Sequence, residues 1–435
     1  MVDSKRFHQE KVSPTFICKQ FIRIVRYHYS ANIKNPAGKQ IIQFELVYYL
    51  HPRKQTLMMK VGILGGGQLG RMLMQEAINY PVETWIMEND AFCPAAHLCH
   101  HFVKGNIRSF EEVYAFGKKV DALTIEIENV NIEALEKLES EGLKIYPNTK
   151  ALRIIRNKIL QKEFYRDSSI PTSTFHIVEN KQDVLNHSAF LPAVHKLATG
   201  GYDGKGVQLL NRQDDLEKAF DEPGILEKKV EISKEIAVIV AVSDKGETAI
   251  YPPVEMIFDP YLNLLDFQLS PADLTEKVFW KAEAIALSVA RNLKSAGIFA
   301  IEMFVDRENN VLVNETAPRV HNSGHHTIEA HFCSQFDMLW RIILGYPLGN
   351  TDAIQSSVMI NVVGEQGSQG EVVFEGLTEV LDIENAFVHL YGKKETKPGR
   401  KMGHITVISK ERQELLHQAN RIKHVFKVKG KNVIS

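Results

Sequence analysis

A buried strand, a glycine turn and an amphipathic helix follow one another at residues 59–77, and this order limits the possible folds more than any other feature. Residues 59–64 are a compact apolar run, Gly65, Gly67 and Gly70 come next, and residues 71–77 have helical spacing. The arrangement opens a doubly wound α/β unit and fits the dinucleotide-binding fingerprint. The same turn brings a helix N-terminus to any anion, so the ligand stays open.

Acidic residues follow the next strands of this unit. Glu88 comes after the strand predicted at 84–87, near the place of a ribose-binding acid, and Glu126 and Glu128 end the strand predicted at 120–127. Open parallel sheets bind their ligands beyond the carboxyl ends of the strands. Glu126 and Glu128 are therefore candidate binding residues, with solvated strand-end acids as the alternative.

Two apolar runs flank a polar turn at residues 298–313 and predict a β-hairpin. Glu302 lies in the first run, and Asn314 and Glu315 follow the second, so we expect the two carboxylates to lie close together. Two converging carboxylates and an amide oxygen form a hard oxygen cluster that can hold magnesium against phosphates. A structural ion pair between Glu302 and Arg319 is the alternative, because a carboxylate in an apolar strand must be neutralised.

A dense polar stretch begins directly after Pro318. It contains Arg319, His321, Asn322, Ser323, Gly324 and His325. These residues supply hydrogen-bond donors, acceptors and a flexible glycine, but almost nothing apolar that could pack. The pattern predicts a binding loop.

Four glycines lie within seven residues at 200–206, together with Tyr202, Asp203 and Lys205. Glycine allows backbone N–H groups to close over an anion, and the lysine adds positive charge. The stretch lacks Gly-Lys-Ser/Thr and leads into the apolar run 207–210, which predicts a strand. We therefore expect a flap over phosphates and no Walker loop, with a glycine-rich hairpin turn as the alternative.

Isolated charged residues surround the glycine loop. Lys158 lies in a basic amphipathic helix predicted over 149–166, and Lys196 lies in the strand before the loop. Glu227 and Glu235 are eight residues apart and could accept the amino or hydroxyl groups of a nucleoside from one face. Surface acids would have the same spacing.

A basic turn lies between two strands of the C-terminal part of the chain. It contains Lys393, Arg400 and Lys401. Such a turn is either solvated or binds a phosphate group, for which lysine and arginine are the usual donors.

Composition excludes several classes of function. The 435 residues carry a net charge of −1 and no apolar run approaching the about 20 residues that span a bilayer, so neither nucleic acid nor a membrane is an expected partner. The four cysteines show no metal-binding spacing and no disulfide framework, which indicates reduced thiols and a cytoplasmic location.

Residues 1–58 differ from the rest of the chain. They contain ten Lys or Arg against three Asp or Glu, whereas residues 59–435 contain 42 basic and 50 acidic residues. The segment lacks the layout of a secretory signal, and serine is too sparse for a typical transit peptide. We interpret it as a poorly ordered extension or a translated upstream stretch, with Met58 or Met59 as the start.

Five motifs resemble the ATP-grasp superfamily and, within it, the family of 5-(carboxyamino)imidazole ribonucleotide synthetases of purine biosynthesis. The resemblance covers about residues 59–410 and depends on segments 65–71, 126–130, 200–206, 314–325 and 399–404. The fourth, Asn-Glu-x-Ala-Pro-Arg-Val-His-Asn-Ser-Gly-His, is the most specific. Formate-dependent glycinamide ribonucleotide transformylases are similar through Pro-Arg and diverge after His321, and biotin carboxylases lack the motif.

The resemblance implies an α/β architecture: an ATP-grasp fold with an N-terminal doubly wound, Rossmann-like domain and a small β-rich C-terminal domain. We expect the extension at 1–58, an α/β domain at 59–150, and the ATP-grasp domain at 151–350 with its flap lobe at about 170–235. The C-terminal domain would occupy 351–420, and residues 421–435 would be a basic, featureless tail.

The resemblance also implies a reaction. ATP, bicarbonate and 5-aminoimidazole ribonucleotide would give the N-carboxylated ribonucleotide, ADP and phosphate, through carboxyphosphate or the CO₂ that it releases. The implied cofactors are ATP and Mg²⁺ (or Mn²⁺), and a homodimer is usual in the family.

The resemblance assigns roles to matching residues. Glu302 and Glu315 would hold magnesium, with Asn314 assisting. The ATP phosphates would meet Lys158, Lys196, Gly201, Tyr202, Asp203, Gly204, Lys205 and Gly206, and the nucleoside would meet Glu227, Lys228, Lys229, Val230 and Glu235. The ribonucleotide would lie against Gln68, Leu69, Glu126 and Tyr202, and its phosphate against Lys393, Arg400 and Lys401. The reacting carboxyl group would meet Arg319, His321, Asn322, Ser323 and Gly324, and the catalytic set would be Lys196, Arg319, His321 and Asn322.

Departures from the family pattern concern the flap region. Lys158 stands where arginine is frequent, residues 255–265 contain no histidine, and Leu197-Ala198 replace more polar residues. The alternatives are another ATP-grasp ligase, such as a formate-dependent transformylase, an NAD-dependent oxidoreductase built on the Gly65 turn, and a nucleotide-binding module without catalysis.

Overall fold

The computed structural model describes residues 58–200, 206–259 and 265–433, and within the N-terminal segment residues 17–19, 22–35 and 38–50. The chain divides into two compact units, Met1–Met58 and Met59–Ser435. No helix within the described ranges is both long and apolar enough to cross a membrane.

The first unit contains an antiparallel sheet in the order β1-β2-β3. Its strands are β1 (Ile17–Lys19), β2 (Ile22–Asn35) and β3 (Gly38–Leu50). These runs are rich in β-branched and aromatic residues, which favour strands. The expectation of little order in residues 1–58 stays a prediction. That the segment is a translated upstream stretch stays a hypothesis.

The second unit begins with a five-stranded parallel sheet in the order β6-β5-β4-β7-β8. Its elements are β4 (Met59–Leu64), α1 (Gln68–Ala77), β5 (Val82–Glu88), β6 (His101–Lys104), α2 (Phe110–Gly117), β7 (Ala122–Ile125), α3 (Ile132–Ser140) and β8 (Lys144–Tyr146). The central strand β4 is buried because Val61, Ile63 and Leu64 are fully enclosed. The predicted α/β domain is confirmed, and β7 ends directly before Glu126.

The helix predicted over 149–166 is two helices. α4 (Thr149–Arg156) ends at Asn157, whose backbone is extended, and α5 (Lys158–Asp167) begins after it. The Asn157 side chain accepts hydrogen bonds from the N–H groups of Ile159 and Leu160. Asparagine side chains favour such helix-capping hydrogen bonds over a position inside a helix. Apolar periodicity alone does not reveal a break of this kind. Lys158 consequently stands at a helix N-terminus.

A four-stranded antiparallel sheet follows, in the order β11-β10-β12-β9, and we call it the flap sheet. Its region contains β9 (Phe175–Val178), α6 (Lys181–Asn186), β10 (Ala193–Leu197), β11 (Val207–Leu210) and β12 (Gly224–Lys228). β10 and β11 are antiparallel neighbours on either side of the glycine loop, as predicted. Residues Gly201, Tyr202, Asp203, Gly204 and Lys205 lie outside the described residues.

The next part of the chain forms most of a large sheet and contributes helices that pack against it. Its elements are β13 (Ile232–Val242), β14 (Thr248–Ile250), β15 (Val254–Phe258), β16 (Leu265–Ser270), α7 (Glu276–Asn292), β17 (Gly297–Asp306), β18 (Val311–Ala317), α8 (Thr327–Ala330) and α9 (Gln335–Leu344). The apolar face of α7 packs on β13, β17 and β18. α9 joins this region to the first sheet, because the Trp340 indole N–H donates to the Leu73 carbonyl oxygen of α1 at 2.8 Å.

The C-terminal part completes two sheets. It contains β19 (Ser357–Val363), β20 (Ser368–Glu375), α10 (Leu377–Leu381), β21 (Ala386–Leu390), β22 (Glu395–Thr396), β23 (Lys401–Ile408), α11 (Arg412–Val425) and β24 (Lys427–Val433). The large sheet runs β18-β17-β13-β15-β16-β19-β23-β21, with β14 paired to β13. Strands β19, β23 and β21 of the C-terminal part therefore continue the sheet that contains β17 and β18.

The prediction of a featureless tail at 421–435 was wrong for the described residues. Residues 421–425 end α11, and β24 pairs with β20 in the sheet β22-β20-β24. Val428 is 2% exposed within the core of this domain, while Lys429 and Lys431 form ion pairs with Glu375 and Glu371. Lysines at alternate positions made this segment resemble a basic tail in the sequence, although it forms a strand with one apolar face.

Candidate active site

The predicted hairpin is formed by β17 and β18, and Glu302 stands directly opposite Glu315. The register shifts beside this pair, because Glu315 pairs with Glu302 whereas Val313 pairs with Met303. Asn314 is therefore the extra residue of a β-bulge, in which two successive residues oppose one residue of the partner strand. The bulge brings Asn314 and Glu315 together against Glu302. The two acids are neighbours, as the sequence predicts.

The acids of this cluster differ in the direction of their pKa shifts. Burial, with contributions from Glu315 and Glu235, raises the pKa of Glu302 to about 8. The Lys158 ammonium lowers the pKa of Glu315 to about 2, although burial opposes this effect. Burial also raises the pKa of Glu235, and Lys196 partly offsets the increase. The raised pKa values of Glu302 and Glu235 show that their charged forms are disfavoured in the protein alone, and a cation bound beside them would favour those charged forms.

Two lysines from different elements reach the hairpin. Lys158 Nζ lies 2.5 Å from Oε2 of Glu315, and Lys196 Nζ donates to Oδ1 of Asn314 at 2.8 Å. Burial lowers the pKa of Lys158, but the Glu315 carboxylate more than compensates, so the net shift is upward. The structure thus brings both predicted phosphate-binding lysines to the two acids, and their binding role stays a prediction.

The predicted nucleoside residues do not share one environment. The Glu227 carboxylate is 4% exposed and lies between the ammonium groups of Lys162, at 3.0 Å, and Lys196, at 3.2 Å. Lys228 points to the other side of the strand and donates to the carbonyl oxygen of Phe190 at 2.9 Å. The Glu227 side chain is thus held in two ion pairs, and the backbone N–H groups of Lys228 and Lys229 donate to the carbonyl oxygens of Thr174 and Pro192. The nucleoside role of these residues stays a prediction.

Lys229 and Gly206 are also among the residues that the resemblance assigns to nucleotide binding. Lys229 Nζ donates to Oδ1 of Asn211 at 3.2 Å, and Gly206, the first described residue after the glycine loop, has a φ of 72°. A positive φ favours glycine, which fits a loop that turns sharply between two antiparallel strands. The binding roles of Lys229 and Gly206 stay predictions.

Sequence reasoning missed Lys162, which is 2% exposed. Lys162 lies four residues after Lys158 on α5, so both project from one face of the helix. The signal that could have identified Lys162 is its position on the same helical face as Lys158, a predicted phosphate ligand. It was overlooked because a lysine in an amphipathic helix is usually solvated.

The first glycine turn is occupied by the chain's own carboxylates. The N–H of Gly66 donates to Glu88 at 3.3 Å, and the N–H of Leu69 donates to Glu126 at 3.1 Å. A Cβ atom at Gly67 would lie 2.5 Å from Oε1 of Glu126, so this turn needs glycine for the close approach. A pyrophosphate here would meet two acids, which argues against the NAD-dependent alternative.

Burial raises the pKa of Glu126, and Arg319 partly opposes the increase. Arg319 itself lies 2.9 Å through Nε from Oε1 of Glu128, so the polar loop after β18 contacts the carboxyl end of β7. The structure thus gives Arg319 an ion pair with Glu128.

The predicted binding loop lies beside the acids. His321 Nε2 is 3.5 Å from Oε1 of Glu302, and its Nδ1 is 2.9 Å from Oγ of Ser323. Both polar side-chain atoms of Asn322 are buried without a hydrogen-bond partner among the described residues. A Cβ atom at Gly324 would lie 2.4 Å from Cδ1 of Ile239, so this glycine is required for packing. The loop thus presents polar groups that a ligand could satisfy.

The basic turn reaches the first glycine turn from the C-terminal domain. Lys393 Nζ donates to Oε1 of Gln68 at 2.7 Å and to the carbonyl oxygen of Lys401 at 2.6 Å. Lys401 also acts on the centre of the cluster, because its charge is among the causes that lower the pKa of Glu302 and His321. Arg400 instead donates to the carbonyl oxygen of Glu395 at 2.8 Å in an exposed position. Lys393 and Lys401 thus act on residues of the site, whereas the contact given for Arg400 lies within the basic turn.

Buried histidines line the region behind the binding loop. Burial lowers the pKa of each of them, and for His321 the value falls to about 3. The others behind the loop are His325, His326, His331 and His404. Burial also lowers the pKa of His195, which lies in strand β10 of the flap sheet. The His325 and His404 rings lie 4.7 Å apart between centroids, so the ATP-grasp and C-terminal domains meet through neutral imidazoles.

We expect the melting temperature to fall as the pH is lowered from 7 to 5. An unfolded histidine binds a proton below its ordinary pKa of about 6.5, whereas the folded chain resists protonation to lower pH. Stability from neutral histidines is thus present above that pH and lost below it, by up to about 1.4 kcal/mol per pH unit for each histidine. Thermal melts at constant ionic strength measure the slope. His404→Gln should flatten it and exposed His424→Gln should not; equal slopes for H404Q and the unaltered protein would contradict this reading.

Three family models match the chain in order. The ribonucleotide synthetase preATP-grasp domain matches residues 58–156, the ATP-grasp domain matches residues 163–336, and the phosphoribosylaminoimidazole carboxylase C-terminal domain matches residues 357–418. These spans coincide with the parallel sheet, the region of the flap sheet and hairpin, and the C-terminal strands. Fold and site together define a protein of the ATP-grasp class.

A curated relative identifies the family within the ATP-grasp class. The N5-carboxyaminoimidazole ribonucleotide synthase of Brucella melitensis is 35% identical over 356 residues, which cover 80% of this chain and 96% of that protein. The chain belongs to the N5-carboxyaminoimidazole ribonucleotide synthase family. Longer relatives match as well, and the chain spans 64% of the length of one of them, a phosphoribosylaminoimidazole carboxylase.

Solved structures agree with this assignment. The N5-carboxyaminoimidazole ribonucleotide synthetase of Thermotoga maritima has a TM-score of 0.80 and 39% identity, and the match covers 86% of this chain and all (100%) of that one. The enzyme of Aspergillus clavatus, solved with ADP and 5-aminoimidazole ribonucleotide, has a TM-score of 0.77 and 33% identity over 84% of this chain and 98% of that one. The family and the fold predicted from the sequence are confirmed.

Proposed function

We propose that the chain carboxylates 5-aminoimidazole ribonucleotide in purine biosynthesis, using ATP and bicarbonate and releasing ADP and phosphate. The observation that carries the proposal is the convergence of Lys158 and Lys196 on the bulged pair Glu315–Asn314 opposite Glu302. Phosphoryl transfer depends mainly on positioning and charge neutralisation, and this cluster supplies both. The Aspergillus clavatus relative, solved with ADP and the ribonucleotide, supports the same two ligands for this chain.

The divalent cation belongs to the proposal. Within the described ranges, no group of three or more His, Cys, Asp or Glu side chains is arranged to hold a metal ion. Magnesium needs fewer protein ligands, because it commonly binds through one or two carboxylates together with waters and substrate phosphates. Glu302 and Glu315 would hold Mg²⁺ or Mn²⁺ with Asn314 beside them, and the bound ion would neutralise charge on the β- and γ-phosphates.

The chain's own residues would position the nucleotide and bicarbonate. Lys158 and Lys196 would bind phosphate oxygens while an oxygen of bicarbonate attacks the γ-phosphorus, giving carboxyphosphate and ADP. The glycine loop at 200–206 would cover the phosphates, because carboxyphosphate hydrolyses readily and water must be excluded before it forms.

The second half of the reaction would take place toward the first glycine turn. The exocyclic amine of the ribonucleotide would attack the carbonyl carbon of carboxyphosphate, or the CO₂ that it releases, forming the N–C bond while phosphate leaves and the amine loses a proton. Arg319, His321 and Asn322 would orient the reacting carboxyl group. Lys393 with Lys401 would bind the 5′-phosphate next to Gln68, where Lys393 already donates a hydrogen bond.

A coupled ADP-release assay tests the reaction. We expect ADP release that requires bicarbonate and 5-aminoimidazole ribonucleotide together. Release that instead requires formate and glycinamide ribonucleotide would favour the transformylase alternative. A thermal-shift assay distinguishes the proposed ligase from an NAD-dependent oxidoreductase. ATP with magnesium should raise the melting temperature of the protein, and NADH should not.

Loss of a phosphate contact should appear as weaker binding of the ribonucleotide. Lys393→Met and Arg400→Ala are each expected to raise its KM, with little change in kcat, because a uniform binding contact is removed. A hydrogen bond to a charged group is worth about 1.5–3 kcal/mol, so roughly a tenfold increase is expected for Lys393→Met. Initial rates at saturating ATP measure this. Exposed Lys410→Met serves as the control, and an unchanged KM for R400A would mean that Arg400 is merely solvated.

Oligomeric state and location stay predictions. A homodimer, a cytoplasmic location and the absence of nucleic-acid and membrane partners are expected from the family and the composition. Native mass spectrometry would give the number of subunits, and the intact mass of the protein from its natural source would show whether residues 1–58 are present.

A further inference from the structure

Lys162 and Glu227 form a buried ion pair beside the candidate site. Lys162 Nζ lies 3.0 Å from Oε1 of Glu227, and the two side chains are 2% and 4% exposed. The other carboxylate oxygen, Oε2, lies 3.2 Å from Lys196 Nζ. Glu227 therefore bridges one ammonium group from helix α5 and one from the flap sheet.

Further contacts hold Lys162 in this position. Its ammonium donates to Oγ1 of Thr172 at 2.5 Å and to Oγ of Ser173 at 3.3 Å. Ser173 Oγ also donates to Oε2 of Glu227 at 3.2 Å. Both hydroxyl residues lie between α5 and β9, where the chain enters the flap sheet. The network thus links the flap sheet to the helix that also carries Lys158.

The charges around Glu227 determine whether the ammonium group of Lys196 is available to a ligand. Two ammonium groups and one carboxylate leave one net positive charge, and Lys196 also donates to Asn314 at 2.8 Å, toward the two acids. Without the charge of Lys162, Glu227 and Lys196 would form a one-to-one pair, and attraction between buried charges is strong because screening is weak. Lys196 would then be neutralised by Glu227.

We propose that Lys162 is a positioning residue for nucleotide binding, which neutralises Glu227 and so leaves the ammonium of Lys196 available to the phosphates. Burial lowers the pKa of Lys162 to about 8, against the opposing effect of Glu227, so the side chain remains mostly protonated at pH 7. The inference rests on the proposed function only in so far as it needs a nucleotide phosphate site at Lys196.

ADP in magnesium buffer at pH 7 is the probe, and calorimetry measures its Kd. We expect Lys162→Met to weaken ADP binding about tenfold, as for the loss of one charged contact. Adding Glu227→Gln should restore most of the affinity, to within about threefold, because the competing carboxylate is gone while the side-chain shape remains. Lys150→Met, at an exposed position on α4, is the matched control. Should Lys162→Met fail to fold, Lys162→Gln, which removes the charge and retains a hydrogen-bond donor, is measured in the same way.

A purely structural role predicts a different pattern. In that case Lys162→Met would lower the melting temperature but leave the Kd for ADP unchanged, and Glu227→Gln would bring no rescue; either result would overturn the proposal. ADP binding by the unaltered protein without turnover of the ribonucleotide would remove the proposed reaction and leave this inference standing. No ADP binding by the unaltered protein would overturn both.

Discussion

Glu315→Ala is expected to abolish ATP-dependent phosphate release while the protein stays folded. Glu315 stands opposite Glu302, is one of the two carboxylates proposed for the divalent cation, and holds Lys158 at 2.5 Å. Its removal takes away one metal ligand and the partner that positions a phosphate-binding lysine. Lewis-acid stabilisation of transferring phosphate is worth several kcal/mol, so the loss should be about 10³-fold or more.

Phosphate release at saturating ATP, bicarbonate and ribonucleotide measures this effect, and circular dichroism checks the fold. Glu308→Ala is the matched control, since Glu308 is exposed in the turn of the same hairpin. Normal phosphate release by E315A would contradict the assignment of the acid pair and, with it, the proposed phosphoryl transfer.

Lys196→Met is expected to lower kcat/KM for ATP by about 10²-fold. Lys196 Nζ donates to Asn314 and pairs with Glu227, so one ammonium group connects the flap sheet with the hairpin. Methionine keeps much of the side-chain volume and removes the charge. A charge-assisted contact to phosphate is worth up to about 3 kcal/mol, which corresponds to that factor.

Steady-state kinetics over a range of ATP concentrations separate kcat from KM. Lys218→Met is the control, because Lys218 belongs to the same lobe and pairs with Asp215 at the surface, with its own side chain 60% exposed. An effect of K196M no larger than that of K218M would show that Lys196 does not touch the nucleotide.

Local patterns were sufficient for the parts of the site that lie within one or two neighbouring elements. The apolar run around Glu302 and the return through residues 311–313 predicted the hairpin, and the structure pairs Glu302 with Glu315. The glycine-rich stretch between two apolar runs predicted antiparallel strands, which β10 and β11 form. Such features follow from periodicity and turn chemistry, which depend on adjacent residues only.

Other features depended on contacts between distant residues. The β-bulge at Asn314 and the buried position of Lys162 have no separate periodic signal. The helix break at Asn157 is a local exception, because this side chain caps the helix that follows it, and apolar periodicity does not show such a cap. A lysine in an amphipathic helix is normally solvated, and only the approach of Glu227 from the flap sheet makes burial of Lys162 tolerable. Strand β24 was missed for a related reason, since its alternating lysines hide the apolar face that β20 and the C-terminal core bury.

The sequence by itself determined the class of fold, the family, and the residue types of the site, because short motifs encode turns, strands and ligand chemistry within a few residues. Only the tertiary structure decided which charges meet. It placed Glu227 between Lys162 and Lys196, filled the first glycine turn with Glu88 and Glu126, and brought Lys393 to Gln68. The physical reason is that the cost of a buried charge depends on partners distant in sequence, which only the folded chain brings together.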